Sequence, residues 1–387
     1  MITLAKKEFC TGCSACASAC PKNCISMNAD KAGFRFPSIN KDLCIDCGLC
    51  EKSCPVINPI SFDGKTIDAY AAYSQDESIR MQSSSGGLFT EIAQAVIQDG
   101  GIVVGAAYDN NFSVVHICVD NLTDLARLRG AKYAQSNLDG VFLKVKEMLK
   151  QGRPVLFSGT PCQVIGLKSY LGKDYDHLLT VDFVCHSVPS PLAWEKYVRF
   201  RADKDNNGAL PSSINLRSKT TGWSQYRYSN LFEYANKESC VLKNGESPYM
   251  RLFVGGYISR ESCDNCPSKG YERASDFTLG DFWGIWNIYP DFDDDKGISV
   301  LLVQSDKGKH FLNKIKDRLI LKEVSLAEAS RENPAMIKVF TPHSKRVEAL
   351  ELITTYGFSQ YDKLFPTERQ RFYRLKAFIK RVMKRNN

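Results

Sequence analysis

The chain has 387 residues, which is enough for two or three domains, and its apolar content of 43% and charged content of 24% are ordinary for a globular protein. No apolar run reaches the roughly 18 residues of a membrane span, and the first patterned cysteine, Cys10, leaves no room before it for a secretion signal. The 15 cysteines indicate thiols kept reduced for metal, so we expect a cytoplasmic protein.

One cysteine motif is written twice near the start of the chain, as C-x2-C-x2-C-x3-C-P. Its members are Cys10, Cys13, Cys16 and Cys20, then Cys44, Cys47, Cys50 and Cys54. In bacterial two-cluster ferredoxins the fourth cysteine of each run ligates the other cluster. We therefore predict a dicluster ferredoxin domain over residues 1–58 with two [4Fe-4S] clusters. The predicted ligand sets are Cys10, Cys13, Cys16 and Cys54 for one cluster, and Cys44, Cys47, Cys50 and Cys20 for the other.

A disulfide-rich or zinc-ribbon module is the alternative for this segment. Neither explains two identical triplets that are each followed by Cys-Pro. The remaining N-terminal cysteine, Cys24, has no partner pattern, and like Cys118 and Cys240 it is interpreted as a buried filler.

Strand and helix patterns alternate through residues 66–203, which predicts an α/β layer. We expect a hairpin of strands over 101–108 and 114–119, strands over 154–157 and 178–184, and helices over 141–150, 162–171 and 191–201. Residues 204–345 are more β-rich, with strands expected over 214–217, 226–234, 277–279 and 297–304 and a helix over 307–319. The predicted fold class is thus a multidomain α+β and α/β protein, with a ferredoxin fold before an α/β core that has a β-rich C-terminal part.

Four later cysteines suggest a third metal site. Cys162 is predicted at a helix N-terminus, where the helix dipole stabilises a thiolate, and Cys185 ends the next strand at the same edge of the sheet. Cys263 and Cys266 form a C-x2-C pair. We predict a third [4Fe-4S] cluster on these four residues. The alternative is a zinc site, or an unoccupied C-x2-C pair with Cys162 and Cys185 buried and inert.

Two loops have the residue types that bind phosphate or a flavin. Ser85, Gly86 and Gly87 precede a helical run, where glycines let a phosphate approach the helix N-terminus. Lys132 lies in the basic and aromatic loop 129–133. Each loop is a weak signal alone, since many Gly-Gly turns bind nothing and a lone lysine is usually solvated.

The net charge of +8 is concentrated in residues 368–387, which contain eight basic residues and one acidic residue. Apolar residues at helical spacing within this tail predict a basic amphipathic helix over part of residues 346–387. Such a helix suits an anionic membrane surface or an acidic protein partner, or it packs on its own core with a solvated basic face. We expect no nucleic-acid partner, because the rest of the chain adds no net positive field.

These motifs together resemble the beta subunit family of coenzyme F-420 hydrogenases and dehydrogenases. In chain order they are Ser85-Gly86-Gly87, Gly130-Ala131-Lys132-Tyr133, Gly159-Thr160-Pro161-Cys162-Gln163, Asp182-Phe183-Val184-Cys185-His186, Arg260-x2-Cys263-x2-Cys266, Asp276 and Gly280-Asp281-Phe282-Trp283-Gly284. The resemblance runs from about residue 66 to residue 345.

The resemblance implies an FAD-binding core with an iron–sulfur cluster near the flavin. Carried over by position, FAD would contact Ser85, Gly86, Gly87, Lys132 and Gly159, and the four later cysteines would hold the cluster. His186 and Asp281 would then be weak candidates for catalytic residues on the substrate side.

The function that this resemblance implies is electron transfer from ferredoxin or an equivalent redox partner, through FAD, to an organic hydride acceptor. Members fused to a dicluster ferredoxin often resemble products of polysaccharide gene clusters, so the acceptor is F-420-like or belongs to a polysaccharide pathway. Two alternatives remain: an electron-transfer subunit without its own substrate, and a zinc- or cluster-bearing interaction protein.

Overall fold

A computed structural model describes residues 2–61, 66–243 and 245–365 of the chain. The predicted basic amphipathic helix after Pro366 lies outside the described residues. Within them, no helix is long and apolar enough to cross a membrane.

The N-terminal module is built from one small hairpin and two short helices. Its elements are α1 (Ala15–Ala19), β1 (Ile25–Ala29), β2 (Arg35–Ile39) and α2 (Leu49–Lys52). Strands β1 and β2 pair antiparallel, with Met27 opposite Pro37. Both helices begin after a residue with left-handed backbone, Ser14 (φ 67°) and Gly48 (φ 71°), and this turn folds each cysteine triplet back on itself.

A single large sheet forms the centre of the remaining chain. Its strands are β3 (Asp68–Ser74), β4 (Ile102–Tyr108), β5 (Val114–Val119), β6 (Val155–Ser158), β7 (Leu178–Phe183), β11 (Phe277–Asp281), β12 (Ser299–Val303) and β13 (Leu319–Glu323). The strand order is β13-β3-β12-β11-β7-β6-β4-β5.

The middle of this sheet is parallel and its edges are antiparallel. Strands β4, β6, β7 and β11 run parallel, whereas β5, β12 and β13 pair antiparallel with their neighbours. Strand β3 is antiparallel to β12 and therefore parallel to β11. The carboxyl ends of β3, β4, β6, β7 and β11 consequently lie at one edge of the sheet, which we call the carboxyl edge. Loops at such an edge are where open α/β sheets bind ligands.

Helices cover both faces of the sheet, because its central strands are apolar on both sides. The helices are α3 (Glu77–Gln82), α4 (Leu88–Gln98), α5 (Leu122–Leu125), α6 (Val141–Lys150), α7 (Pro161–Leu171), α10 (Ile285–Ile288), α11 (Asp306–Ile315) and α12 (Leu326–Ser330). One buried cluster joins α4 and α11 to one face, and another joins α6 and α7 to the opposite face. The second cluster also contains Cys13 and Ala15, so the N-terminal module packs directly on the α6–α7 layer.

A second, aromatic core lies beside the large sheet. It is built from α8 (Pro191–Asn206), β8 (Ser213–Ser218), β9 (Ser229–Glu233), β10 (Ser239–Lys243), α9 (Pro248–Val254) and α13 (Arg346–Tyr356). Strands β8, β9 and β10 form an antiparallel sheet of their own. At its centre Tyr197 stacks on Tyr249, and Trp194 meets Tyr249 edge to face. Phe34 of the N-terminal module joins the same cluster.

The mixed α/β architecture agrees with the sequence, but the predicted division at residues 203 and 204 runs through the large sheet. Strand β3 precedes this division in the chain, yet it lies between β12 and β13, which follow it. Helix α8 also continues past the predicted end at Arg201, because Arg201 and Asp205 form a buried ion pair within it, and Asn207 (φ 50°) ends it.

Candidate functional site

Nine cysteines of the N-terminal module line two separate cavities. One cavity contains Cys10, Cys13, Cys16 and Cys54, with apolar walls that include Pro37. The other contains Cys20, Cys44, Cys47 and Cys50, together with Cys24. The fourth cysteine of each motif thus lies with the first three cysteines of the other motif.

Cys24 is buried, as the sequence predicts, and it also has a thiol neighbour that the sequence did not indicate. Its Sγ lies 3.2 Å from the Sγ of Cys20, and its backbone N–H donates to the same sulfur at 3.4 Å. Besides being buried, as predicted, Cys24 is therefore part of the wall of the second thiol cavity. Its spacing from Cys20 fits no ligand motif, so the sequence carried no signal for this contact.

Burial makes free thiolates unfavourable in the first cavity. Burial raises the pKa of Cys13 to about 11, and the neighbouring Cys10 and Cys54 add to the rise. Burial likewise raises the pKa of Cys16, with Cys13 as the next contribution. A metal centre must therefore supply the free energy that keeps these sulfurs deprotonated, and the buried all-sulfur donor set fits an iron–sulfur cluster.

The four later cysteines lie together at the carboxyl edge. Cys162 is in the first turn of α7, where Thr160 and Gln163 form a capping box. Burial raises its pKa well above the ordinary value, and the nearby Cys266, Cys185 and Cys263 raise it further. The expected helix-dipole effect is therefore outweighed by burial.

Backbone and cationic groups surround these four thiols, which we call the third thiol site. The Val188 N–H donates to Cys263 Sγ at 3.3 Å. The Lys269 ammonium bonds the Cys185 carbonyl oxygen at 2.5 Å, and Arg273 is also close enough to lower the Cys185 pKa, which burial raises to about 12. Positive charge around buried thiols fits an anionic cluster. Among the described residues, no three His, Cys, Asp or Glu side chains converge at the spacing of one metal ion.

The first cavity and the third thiol site are linked by helix α7. Helix α1 packs against α7, and a Cβ on Gly166 of α7 would lie 2.8 Å from Cys13 Sγ. Cys162 is one helical turn before Gly166. Helix α7 thus contacts Cys13 at Gly166 and carries Cys162 one turn earlier.

The Ser85–Gly87 turn lies between β3 and β12 at the carboxyl edge. A Cβ on Gly86 would clash with the Ala72 carbonyl oxygen, and the Gly86 N–H already donates to Ser299 Oγ at 2.9 Å. Gly87 (φ 90°) is the N-cap of α4. Close strand packing therefore accounts for a glycine at position 86, while the start of α4 stays at the edge.

Lys132 is a partly buried residue with a defined role in its loop. Its ammonium donates to the carbonyl oxygens of Arg127, Arg129 and Gly130, at 3.1, 2.5 and 3.3 Å. Burial lowers the Lys132 pKa to about 7. Its charge also reaches His116, whose Nε2 lies 3.0 Å from the Ser158 carbonyl oxygen next to Gly159.

A buried ion pair that no sequence motif indicated lies beside this loop. Arg217, at the end of β8, donates to the Asp281 carboxylate at 2.8 Å and approaches Tyr133 Oη at 3.5 Å. Burial alone would lower the Arg217 pKa, but Asp281, Tyr133 and Tyr228 together outweigh this effect and raise it. Arg217 Nε and Nη2 and Asp281 Oδ1 are buried without a hydrogen-bond partner.

Lys219, two residues after Arg217, connects this pair to the Ser85–Gly87 turn. Its ammonium donates to the carbonyl oxygens of Arg80 and Ser85, at 2.5 and 2.7 Å. Burial lowers its pKa to about 7, with Arg80 as the next cause. Two lysines with low pKa values and a buried ion pair with unpartnered atoms thus border the carboxyl edge. This donor set fits a polar, anionic ligand such as FAD.

His186 lies apart from this polar group. Its ring contacts those of Phe253 and Phe340, edge to face, at 5.3 and 4.7 Å. Burial lowers the His186 pKa, and Lys269 lowers it further. Of the two weak catalytic candidates, Asp281 is therefore held in the polar group and His186 in an aromatic one.

Comparison with known proteins extends over most of the chain. Residues 9–58 match the family model described as "4Fe-4S dicluster domain". Residues 69–142 match the N-terminal model, and residues 152–329 the C-terminal model, of the family described as "Coenzyme F420 hydrogenase/dehydrogenase, beta subunit". No curated protein matches the chain.

A chain of the F420-reducing [NiFe] hydrogenase complex from Methanosarcina barkeri is similar at 16% identity and a TM-score of 0.44, over 79% of this chain and 93% of that chain. This likeness is too distant to support an argument about function. The matched family models do support one. The chain belongs to the coenzyme F420 hydrogenase/dehydrogenase beta subunit family, as an iron–sulfur protein with an N-terminal 4Fe-4S dicluster domain.

Proposed function

We propose that this protein is an iron–sulfur flavoprotein oxidoreductase. Its electron carriers are two [4Fe-4S] clusters in the N-terminal module, a third [4Fe-4S] cluster and FAD, and an organic molecule is the acceptor. The observation that carries the proposal is that the three proposed sites follow one another through packed elements of the fold. The cavity with Cys13 packs on α7, α7 begins at Cys162, and the polar group around Lys132 and Arg217 lies at the same edge of the sheet.

The division of thiols between two cavities supports the assignment of the ferredoxin-type clusters. Cys10, Cys13, Cys16 and Cys54 would hold one cluster, and Cys20, Cys44, Cys47 and Cys50 the other. Cys47 is exposed, and Leu43, Ile45 and Leu49 beside it are exposed apolar side chains. This end of the module is where we expect reduced ferredoxin or an equivalent donor to dock.

The third cluster would be held by Cys162, Cys185, Cys263 and Cys266. The zinc alternative has the same donor atoms, so the cations around the site do not distinguish the two. The position of the site favours a redox centre, because Cys185 lies close enough to Tyr133 of the polar group to raise its pKa, and Cys162 begins the helix on which the N-terminal module packs.

FAD would be held at the carboxyl edge by the Ser85–Gly87 turn, Lys132 and Gly159, together with Arg217 and Lys219. The flavin supplies the conversion between single electrons and hydride. Lys132 and Lys219 provide positive charge for its phosphates, and the unpartnered atoms of Arg217 and Asp281 offer donors and an acceptor to a polar ring system. The acceptor is an F420-like deazaflavin or a substrate of a polysaccharide pathway.

The test is to measure iron, sulfide and released flavin per chain after anaerobic purification. We expect about 12 iron atoms and one flavin, since each cubane holds four irons. About 8 irons without flavin would overturn the proposal and favour an electron-transfer subunit that serves a partner. Zinc in place of the last four irons would reject the third cluster alone.

A further inference from the structure

Arg260 is a completely buried cation that has no acidic partner. Its side chain is 1% exposed. None of the ion pairs found among residues 2–61, 66–243 and 245–365 includes it. A buried charge without a counter-charge is strongly unfavourable, so the negative charge that balances Arg260 must come from another source.

The hydrogen bonds of the guanidinium all go to neutral oxygens. Nε donates to the Cys10 carbonyl at 2.9 Å, Nη2 to the Arg35 carbonyl at 3.0 Å, and Nη1 to Gln135 Oε1 at 3.2 Å. The ring of Phe36 lies 4.1 Å from the guanidinium carbon. These contacts satisfy the N–H groups and fix the plane of the guanidinium, but they leave its net charge uncompensated.

The position of Arg260 identifies the missing charge. Its side chain reaches Cys10, a ligand proposed for the cluster in the first cavity. Its backbone N–H bonds the Val188 carbonyl, and the Cys263 N–H bonds its carbonyl oxygen. Burial lowers the Arg260 pKa, whereas the thiols of Cys10, Cys263 and Cys162 act in the opposite direction. The guanidinium thus lies between the first cavity and the third thiol site.

A cubane with four thiolate ligands has a net negative charge that grows by one when it takes up an electron. We propose that Arg260 is the shared counter-ion of the two clusters on either side of it, and that its charge raises the reduction potentials of both. The step involves one electron and no bond changes, because each cluster is only oxidised or reduced. This inference rests on the proposed function, since it requires both clusters.

Three other cations of the described residues lie beside the third thiol site, and their hydrogen bonds do not reach Cys10. Lys269 and Arg273 act on the third thiol site, and Arg346 bonds the Ser259 carbonyl beside it. Arg260 is the cation whose hydrogen bonds extend from this site into the N-terminal module. Its positive charge therefore lowers the free energy of the reduced form of both clusters, between which the electron must pass.

The test compares Arg260→Gln and Arg260→Lys in the full-length protein, by iron content and by EPR-monitored redox titration. In Arg260→Gln we expect wild-type iron with lower midpoint potentials for the two neighbouring clusters, and an unchanged potential for the cluster of the second cavity. Arg260→Lys keeps the charge and should retain most of both potentials. Arg346→Gln is the matched control, and it should lower the potential of the third cluster only.

Other outcomes of this experiment would contradict the proposal, and each leads to a different conclusion. Unchanged potentials in an Arg260→Gln protein with full iron would overturn the electrostatic role. Loss of iron in both Arg260 variants would also overturn it, and would make Arg260 a structural clamp instead. A wild-type protein with about 8 irons and no flavin would reject the proposed function itself, and the shared role with it, whereas about 8 irons with flavin would reject only the third cluster and the shared role.

Discussion

Lys132 and Lys219 border the carboxyl edge with pKa values of about 7, because burial penalises their charged forms. A bound pyrophosphate would favour the charged form and raise both values, so FAD binding should take up protons above about pH 7. We predict that the FAD dissociation constant is constant below about pH 7 and rises above it, by up to about tenfold per pH unit for each lysine. Fluorescence titration of flavin-depleted protein measures this dependence.

Single variants assign that pH dependence to its source. Lys132→Met should weaken FAD binding below about pH 7 and reduce the slope above it. Lys144→Met, on the exposed face of α6, is the control and should leave both unchanged. If the FAD dissociation constant still rises with pH after replacement of both Lys132 and Lys219, neither lysine holds the phosphates.

The Arg217–Asp281 pair is the second residue-scale target. In Arg217→Gln the Asp281 carboxylate loses its cation while 17% exposed, and breaking a buried pair costs about 3–5 kcal/mol of unfolding free energy. We expect this loss in an anaerobic urea titration, together with loss of flavin. The double variant Arg217→Gln/Asp281→Asn should recover part of the stability, because no buried charge is left unpaired. Equal stability of wild type and Arg217→Gln would contradict the pair's importance.

At the residue scale, the sequence predicted those residues whose role depends on their spacing along the chain. The cysteines of the duplicated motif could be sorted into two groups because their order is a ligand pattern, and the two cavities group them in the same way. Arg217 and Lys219 could not, because the partner of Arg217 is 64 residues away and a basic residue at a strand end is common. Gly86 was singled out for a ligand, but its contact with the Ala72 carbonyl depends on strand pairing that no local pattern shows.

At the scale of elements, helix α7 connects the N-terminal module to the third thiol site. We predict that Gly166→Ala displaces the module, since the new Cβ would lie 2.6 Å from Cys13 Cβ. The expected result is slower reduction of the bound flavin by an external donor in stopped-flow measurements. Reduction at the wild-type rate would show that the contact between Gly166 and Cys13 does not set the distance between the N-terminal module and the third thiol site.

The matched control for this prediction is Gly172→Ala, at the end of the same helix. Its Cβ would meet no atom within 4 Å, so its only cost is the left-handed backbone at φ 67°, about 1–2 kcal/mol. It should lower stability without slowing flavin reduction. Equal slowing in both variants would attribute the effect to α7 stability rather than to the module.

Helices and strands were predicted correctly where the pattern that indicates them lies in consecutive residues. The hairpin of β4 and β5 and the helix α6 have the expected extents, because alternation and helical spacing are properties of consecutive residues. The segment expected as a strand over 226–234 is shorter, and β9 begins only at Ser229. Its aromatic residues suggested a strand, but residues 224–228 form a turn in which Tyr226 is exposed.

At the scale of the molecule, the large sheet cannot be divided at residue 203. A fragment of residues 66–203 retains β3 but lacks β11, β12 and β13, so β3 would have no neighbouring strand. We predict that this fragment does not fold alone, whereas residues 66–365 do, because they contain every strand of the sheet. Amide dispersion in NMR spectra distinguishes the two, and a well-dispersed spectrum of the shorter fragment would contradict the prediction.

The order of strands in this sheet could not have been derived from the chain. Alternating elements indicate an α/β layer, but the insertion of β3 between β12 and β13 depends on contacts between residues more than 200 positions apart. The boundary at 203 followed a change in local composition, and composition does not report which strands pair.

The packing of Cys13 within the core of the α6–α7 layer has a consequence for how the molecule is made. Once the N-terminal module has docked, Cys10 and Cys13 are buried against this layer, and a scaffold protein delivering iron would have less access to them. On the proposed function, insertion of the cluster at Cys10 and Cys13 would therefore precede docking. A cell short of iron would accumulate chains arrested with α7 uncovered, so the supply of iron would set how much mature protein exists.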